Sequence, residues 1–259
     1  MQTQNKTIIS QIMGKPPQRV VCPHHGPYYA FTTTLFNGEQ HSSRCPRCVE
    51  EDELAQQRLM SRETASSIIA NRLSSAGVPD DLAFITFESM PLGLRQNTEL
   101  VRACTKLADG AITSLVLLGG NGVGKTTLAI ATLARIVEKS LMDDMPVSIH
   151  YTTETQLLRA LKTTFSRKDG PTEQDIINRM SKVDVLVLEE VGMAKDSEYN
   201  LTALQEIIDA RHRSKRTIIC GNPIAKEFKA HLTESSRSKL AENGLSFEIE
   251  DVDHRRIKA

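Results

Sequence analysis

The sequence predicts an α/β protein: a parallel sheet packed between helices, preceded by a small metal-binding unit and a linker helix. Three observations carry that expectation. Short runs of continuous apolar residues, such as Leu115-Val116-Leu117-Leu118 and the stretch from Val183 to Leu188, alternate with longer segments of helical spacing. Strands buried on both faces of a sheet read this way. A glycine-rich loop stands between the first of these strands and the helix after it. A cluster of Cys and His within residues 22–48 stands apart from the alternating pattern.

Along the chain, residues 1–15 read as an N-terminal arm in which Ile8, Ile9, Ile12 and Met13 fall at roughly helical spacing. Residues 16–50, rich in Cys, His, Pro and Gly, form a separate module. Residues 51–76 carry Leu54, Leu59, Ala65, Ile68, Ile69 and Leu73 among charged residues, which predicts a linker helix closed by Gly77-Val78-Pro79. Residues 77–259 then form one α/β domain. Its predicted strands are 115–118, 147–152, 183–188, 217–220 and 246–249. Helices are predicted over 125–140, 154–165, 172–181 and 198–213, with helical segments within 224–242.

Bulk properties narrow the function. The chain has 259 residues, with 32 basic and 32 acidic side chains. Without a basic excess, any nucleic-acid contact must be local. No run approaches the roughly 20 apolar residues of a membrane helix, and the N-terminus lacks the apolar core of a secretory signal. Five cysteines, three of them clustered early, suggest metal binding in a reducing compartment, so a cytoplasmic location is expected.

Gly119-Gly120-Asn121-Gly122-Val123-Gly124-Lys125-Thr126 matches the phosphate-binding pattern G-x-x-x-x-G-K-[ST], with an apolar strand before it and a helix after it. Its glycines allow backbone N–H groups to turn inward around a phosphate, and the helix N-terminus adds partial positive charge. The backbone of Gly119, Asn121, Gly122, Val123 and Gly124, together with Lys125, Thr126 and Thr127, is expected to bind ATP. Lys125 reaches the β- and γ-phosphates, and the Thr126 hydroxyl binds Mg²⁺. The strand ending in Glu189-Glu190 is expected to lie next to the phosphate-loop strand. Glu189 is assigned to Mg²⁺ and Glu190 to the attacking water. A Glu at 189, where Asp is usual, is a departure. Asn222, after a third strand, is positioned to contact the γ-phosphate or the water.

Cys22-Pro23-His24-His25 and Cys45-Pro46-Arg47-Cys48 give a C-x₂-H…C-x₂-C pattern. The segment from Tyr28 to Phe36, followed by Asn37-Gly38, predicts a hairpin that brings the two pairs together. Cys22, His25, Cys45 and Cys48 are the expected Zn²⁺ ligands, with His24 in reserve, and the site is expected to be structural. Metal would supply the folding energy that so small a module cannot gain from its core. Cys104 and Cys220 read as core residues.

Taken together, these residues resemble the DnaC/DnaI family of replicative helicase loaders, which are AAA+ ATPases. The resemblance spans roughly residues 76–259. It rests on Gly77-Val78-Pro79 followed by Thr86-Phe87-Glu88, the phosphate loop, the segment from Val183 to Gly192, and Ile207 to Arg211 before the Asn222 strand. It implies ATP hydrolysis, a hexameric replicative helicase and single-stranded DNA as partners, and self-association through the ATPase domains. It further places Arg237, or Lys239 behind it, near an arginine finger supplied to a neighbouring subunit, and Arg256 or Arg255 near a nucleotide-sensing arginine. Three basic runs are candidates for DNA: Arg211 to Arg216; Lys162 with Arg167 and Lys168; and Lys226 with Lys229. Arg211 is alternatively a subunit-interface residue. Competing readings are a transposition helper ATPase of the IstB type, a zinc-dependent DNA-binding regulator with a nucleotide-sensing loop, and a small-molecule kinase. The zinc-like module speaks against the first, Glu190 against the second, and the lack of an identifiable acceptor pocket or lid against the third.

Overall fold

The computed structural model describes residues 16–34, 39–166, 169–193, 197–222 and 228–249. The chain divides into two compact units, Met1–Thr64 and Ala65–Ala259. The N-terminal arm, the Asn37-Gly38 turn, Arg167, Lys168, Lys226, Arg255 and Arg256 lie outside the described residues.

The first unit holds two antiparallel ribbons. Strand β1 (Gln18–Cys22) pairs with β2 (Gly26–Ala30), and β3 (Thr32–Thr34) with β4 (Gln40–Ser42). The segment from Tyr28 is thus shared between two strands, and the predicted hairpin is formed by β3 and β4. The segment breaks at Phe31, whose amide donates to Ser43 Oγ (2.8 Å) and whose carbonyl accepts from the Ser43 amide (2.7 Å). The β1–β2 turn, Pro23-His24-His25, closes on Gly26 at φ 77° and sets the first ligand pair on a tight bend.

Helix α1 (Pro46–Ser75) follows. It begins earlier than the spacing of apolar residues implied, because Pro46 suits the first helical position, where its missing N–H costs nothing. Cys48 thus lies in its first turn. Its last turns bury Ala70 and Leu73 in the second unit. Gly77, at φ 105°, then turns the chain, with Val78 N–H donating to Leu73 O at 3.1 Å.

The second unit is a five-stranded parallel sheet. Its strands are β5 (Ser114–Leu118), β6 (Ile149–Thr153), β7 (Val185–Val191), β8 (Arg216–Gly221) and β9 (Gly244–Glu248). Their order is β6-β7-β8-β5-β9. Alternation hides inside the apolar runs. Leu115, Leu117, Val185, Val187 and Ile218 join one core, while Val116, Leu118, Leu186, Leu188 and Ile219 join the other. The first core is covered by α3 (Thr98–Ala108) and α4 (Lys125–Met142). The second is covered by α5 (Glu154–Thr164), α6 (Glu173–Lys182), α7 (Glu198–Arg211) and α8 (Glu234–Glu242).

Two differences bear on the site. Helix α3 and the short helix α2 (Leu92–Gln96) before it were not among the predicted helices. Asn97 caps α3 by accepting from the Leu100 amide at 3.2 Å. The acid-bearing strand β7 is also not adjacent to the phosphate-loop strand β5, because β8 runs between them.

Candidate functional site

The fully buried strand β5 delivers the chain to the phosphate loop at the carboxyl edge of the sheet. Gly119 (φ 141°) and Gly124 (φ 95°) adopt backbone conformations that favour glycine. A β-carbon at the first would collide with the Ile249 carbonyl oxygen, and one at the second with the Leu94 side chain. Helix α4 starts at Lys125 with no side-chain cap, so its first amides are free to serve an anion. The Lys125 amine is buried at the loop, donating to Gly119 O (2.9 Å) and Gly120 O (2.6 Å).

The acids sit in an irregularity of β7. Its pairing with β8 shifts register between Leu188 and Val191, and Glu190 takes φ 58°. Such a bulge re-aims consecutive side chains. Glu189 is buried and Glu190 is exposed at the cleft. Thr126 Oγ1 donates to Glu189 Oε2 at 3.2 Å, although β7 and β5 are two strands apart. Glu189 Oε1 is buried without a hydrogen-bond partner among the described residues. Burial pushes the Glu189 carboxyl up, against the contacts with Cys220 and Thr126. A hydroxyl beside a desolvated carboxylate with an orphaned oxygen fits a hard divalent cation such as Mg²⁺.

These groups open on one cleft of about 740 Å³. Its polar lining comes from Lys125, Thr126, Thr127, Glu189, Glu190 and Asn222, and its apolar lining from Pro79, Leu82, Pro91, Leu94 and Tyr151. The apolar lining carried no motif in the sequence. The Gly77-Val78-Pro79 break after a helix was its visible trace. Glu154, also unanticipated, is a buried carboxylate that accepts from the Gly192 amide at 3.0 Å and so anchors the turn after Glu190. Arg237 lies half-buried on α8, donating to Leu232 O at 3.3 Å. Lys239 is committed to Asp209 at 2.6 Å.

In the first unit, ligand atoms of Cys22, His25, Cys45 and Cys48 lie within 4.8 Å of one another. His25 Nδ1 is 3.3 Å from Cys48 Sγ and 3.8 Å from both Cys22 Sγ and Cys45 Sγ. Cys22 and Cys48 sulfurs are 3.6 Å apart. A tetrahedral ion at ~2.3 Å from sulfur and ~2.0 Å from nitrogen requires ligand separations of roughly 3.5–3.8 Å, so the donor set fits. The His24 backbone amide holds the Cys22 thiol down at about 6. Contact with Cys22 pushes Cys48 up to about 11. Hydrogen bonds, to Cys22 first and then Glu51, raise the imidazole of His25. His24, the reserve ligand, is exposed.

The cations of the densest basic run have partners within the chain, although Arg213 stays exposed. Arg211 is 1% exposed and donates to Thr217 Oγ1 (2.9 Å), Met180 O (2.6 Å), Val183 O (2.8 Å) and Arg216 O. It is an internal strut, neither a DNA contact nor a subunit-interface residue. His212 and Arg213 bind Glu242, Lys215 binds Asp184, and Arg216 donates to Ala108 O. By contrast, Lys162 and Arg159 line an open groove of about 640 Å³ on α5, beside exposed Phe165.

Comparison with known proteins agrees with this architecture. A family model described as IstB-like ATP binding protein matches residues 49–242. The replicative helicase loader DnaC of Escherichia coli K12 is 33% identical over 108 residues, 42% of this chain and 41% of that protein. The chain thus spans about two-fifths of the first relatives it matches. DnaC of Buchnera aphidicola from Schizaphis graminum is 26% identical over 171 residues, 65% of this chain and 67% of the relative. The crystal structure of a DnaC helicase loader superposes with a TM-score of 0.55 at 22% identity, covering 66% of this chain and all of that one. The DnaI structure gives 0.52 at 19%, covering 68% and 94%. Those structural likenesses establish the AAA+ P-loop fold, and with the match over residues 49–242 the chain belongs to the IstB-like ATP-binding protein family.

Proposed function

We propose that the protein is an ATP-hydrolysing loader of a hexameric replicative DNA helicase. The observation that carries the enzymatic half is the convergence of Lys125, Thr126, Glu189, Glu190 and Asn222 on one cleft. The loader half rests on relatives named replicative helicase loader. In this reading the loop amides and Lys125 bind the triphosphate. Thr126 and Glu189 hold Mg²⁺, which supplies charge neutralisation at the phosphates. Glu190, exposed at the cleft mouth, takes the proton of the attacking water, and Asn222 orients that water. The subunits associate through their ATPase domains, so that Arg237 of one copy stabilises transition-state charge at the next, with Arg256 as a second nucleotide contact. Among the described residues no carboxylate pairs with Arg159 or Lys162. With exposed Phe165 they present charge and a stacking ring, the chemistry single-stranded DNA requires.

The N-terminal module binds one structural Zn²⁺ through Cys22, His25, Cys45 and Cys48, and serves as the helicase docking module. The IstB-type transposition helper remains the second reading, favoured by the description of the matching family model. Pull-down from host extract separates the two. Co-purification of the replicative helicase, with ATP turnover stimulated by single-stranded DNA, is expected. Capture of a transposase in place of helicase would reject the loader reading.

A further inference from the structure

An acidic side chain on the helix that carries Cys48 stands beside the zinc ligands. Glu51 lies three residues after Cys48 on α1, and this spacing returns it to the same helical face. Its Oε1 is 3.0 Å from His25 Nε2. On the opposite side of the same ring, Nδ1 faces all three thiols at 3.3–3.8 Å. A carboxylate only accepts hydrogen bonds, so this contact requires the proton on Nε2. The lone pair then stands on Nδ1 and points at the thiol cluster. We propose that Glu51 is the positioning residue of the metal centre: it fixes the His25 tautomer and ring orientation, so that His25 coordinates through Nδ1.

The same contact supports the choice of His25 that the two-residue spacing favours. His24 and His25 are adjacent, with ring centroids 6.4 Å apart, and either could complete a set with three cysteines. Only the His25 ring is held between the thiols and a carboxylate. Ligating histidines commonly give their second nitrogen to such a group, and its loss weakens metal binding about 10- to 100-fold. Glu51 is 67% exposed at its side chain, so solvent screening puts the expected effect at the lower end, about tenfold.

The inference rests on the zinc reading, and the experiment separates the two. Zinc is counted in the native full-length protein, and a competing chelator titration gives its affinity in wild type, Glu51→Gln and Glu51→Ala. Long-range ¹H–¹⁵N spectra of the wild-type histidines report which His25 nitrogen bears the proton. About one zinc per chain, a proton on Nε2, and affinity reduced about tenfold in Glu51→Ala with partial recovery in Glu51→Gln are expected. The amide can still accept from Nε2–H, but carries no charge. Absence of zinc from the native protein would reject the metal reading itself. One zinc with His25 protonated on Nδ1, or with equal affinity in all three proteins, overturns the role of Glu51 and leaves the zinc site standing. The tautomer is read in wild type, so a poorly folded variant leaves the test intact.

Discussion

Arg211→Met tests whether the basic run at the end of α7 is an internal brace or a DNA contact. Methionine keeps most of the aliphatic stem and removes the guanidinium. Four short hydrogen bonds are lost, to Thr217 Oγ1 and to the carbonyls of Met180, Val183 and Arg216, together with a long fifth one of 3.5 Å to Ser181 O that is left out of the sum. Bonds from a charged donor are worth roughly 1.5–3 kcal/mol each, so a simple sum reaches roughly 6–12 kcal/mol. Two terms reduce it. Burial of the charge is itself unfavourable, as shown by the guanidinium being pushed down to about 10, and that cost disappears with the charge. Two of the three carbonyls are also only partly buried, so water can replace the lost donor. A net loss of about 3 kcal/mol follows, a fall in thermal midpoint of roughly 6–12 °C for a unit of this size. Arg211→Lys should recover little, since a single ammonium cannot span the forked set of acceptors. The assay is thermal unfolding of the full chain, with single-stranded DNA affinity measured across salt concentrations. Arg213→Ala, which removes an exposed pair with Glu242, serves as control and should shift the midpoint little. An Arg211→Met protein as stable as wild type that has lost DNA affinity would refute the reasoning.

Glu190→Gln should bind ATP and fail to hydrolyse it, while Lys125→Ala should lose ATP binding. Retained turnover in Glu190→Gln together with its loss in Glu189→Gln would mean that the two acids are exchanged. Burial raises the Glu189 carboxyl in the folded state, so the folded form holds its proton more tightly than the unfolded chain. Its contribution to stability is present in acid and is lost as pH rises from the ordinary carboxylate range through the raised folded value. In magnesium-free buffer at neutral pH, Glu189→Gln should therefore raise the thermal midpoint, and an unchanged or lower midpoint would show that the carboxylate is not penalised there. Paired Cys45→Ser and Cys48→Ser replacements should release zinc and unfold the first unit while nucleotide affinity persists, as read by metal analysis and ATP titration. Arg237→Ala should bind ATP and hydrolyse it poorly. Mixing it with Lys125→Ala protein should give more turnover than the weighted mean of the two, and a mixture at that mean, with co-assembly verified, would remove Arg237 from a neighbour's site.

The parts of the fold that announce themselves in sequence are those set by local chemistry. The glycine loop, the apolar strands and the C-x₂-H…C-x₂-C spacing are short-range patterns, and the structure brings their residues together. Helix α3 has an equally local signature, with Asn97 at its cap and Leu100, Ala103, Cys104 and Leu107 at helical spacing, though it carries no chemical motif. Other features depend on non-local pairing. The insertion of β8 between β7 and β5, and the register shift that turns Glu189 inward and Glu190 outward, have no local signature. Arg211 is the clearest case of misdirection. In sequence it opens a run of exposed-looking cations, and only the meeting of α6, α7 and β8 supplies the carbonyls that bury it. Spacing already favoured His25 over His24, but the contact with Glu51, which belongs to a different secondary-structure element, has no trace in that spacing.

The junction after α1 has a consequence for colloidal behaviour. Strand β6 is an outer strand of the sheet, and an outer strand offers unpaired amides as a template for a foreign strand. At its centre that offer is withdrawn, because the Tyr151 amide already donates to Ala76 O at 2.8 Å. The chain can lie this close only because Gly77 has no β-carbon to strike the Tyr151 carbonyl. One residue without a side chain thus blunts a sticky border at its centre, which disfavours edge-to-edge strand addition along β6.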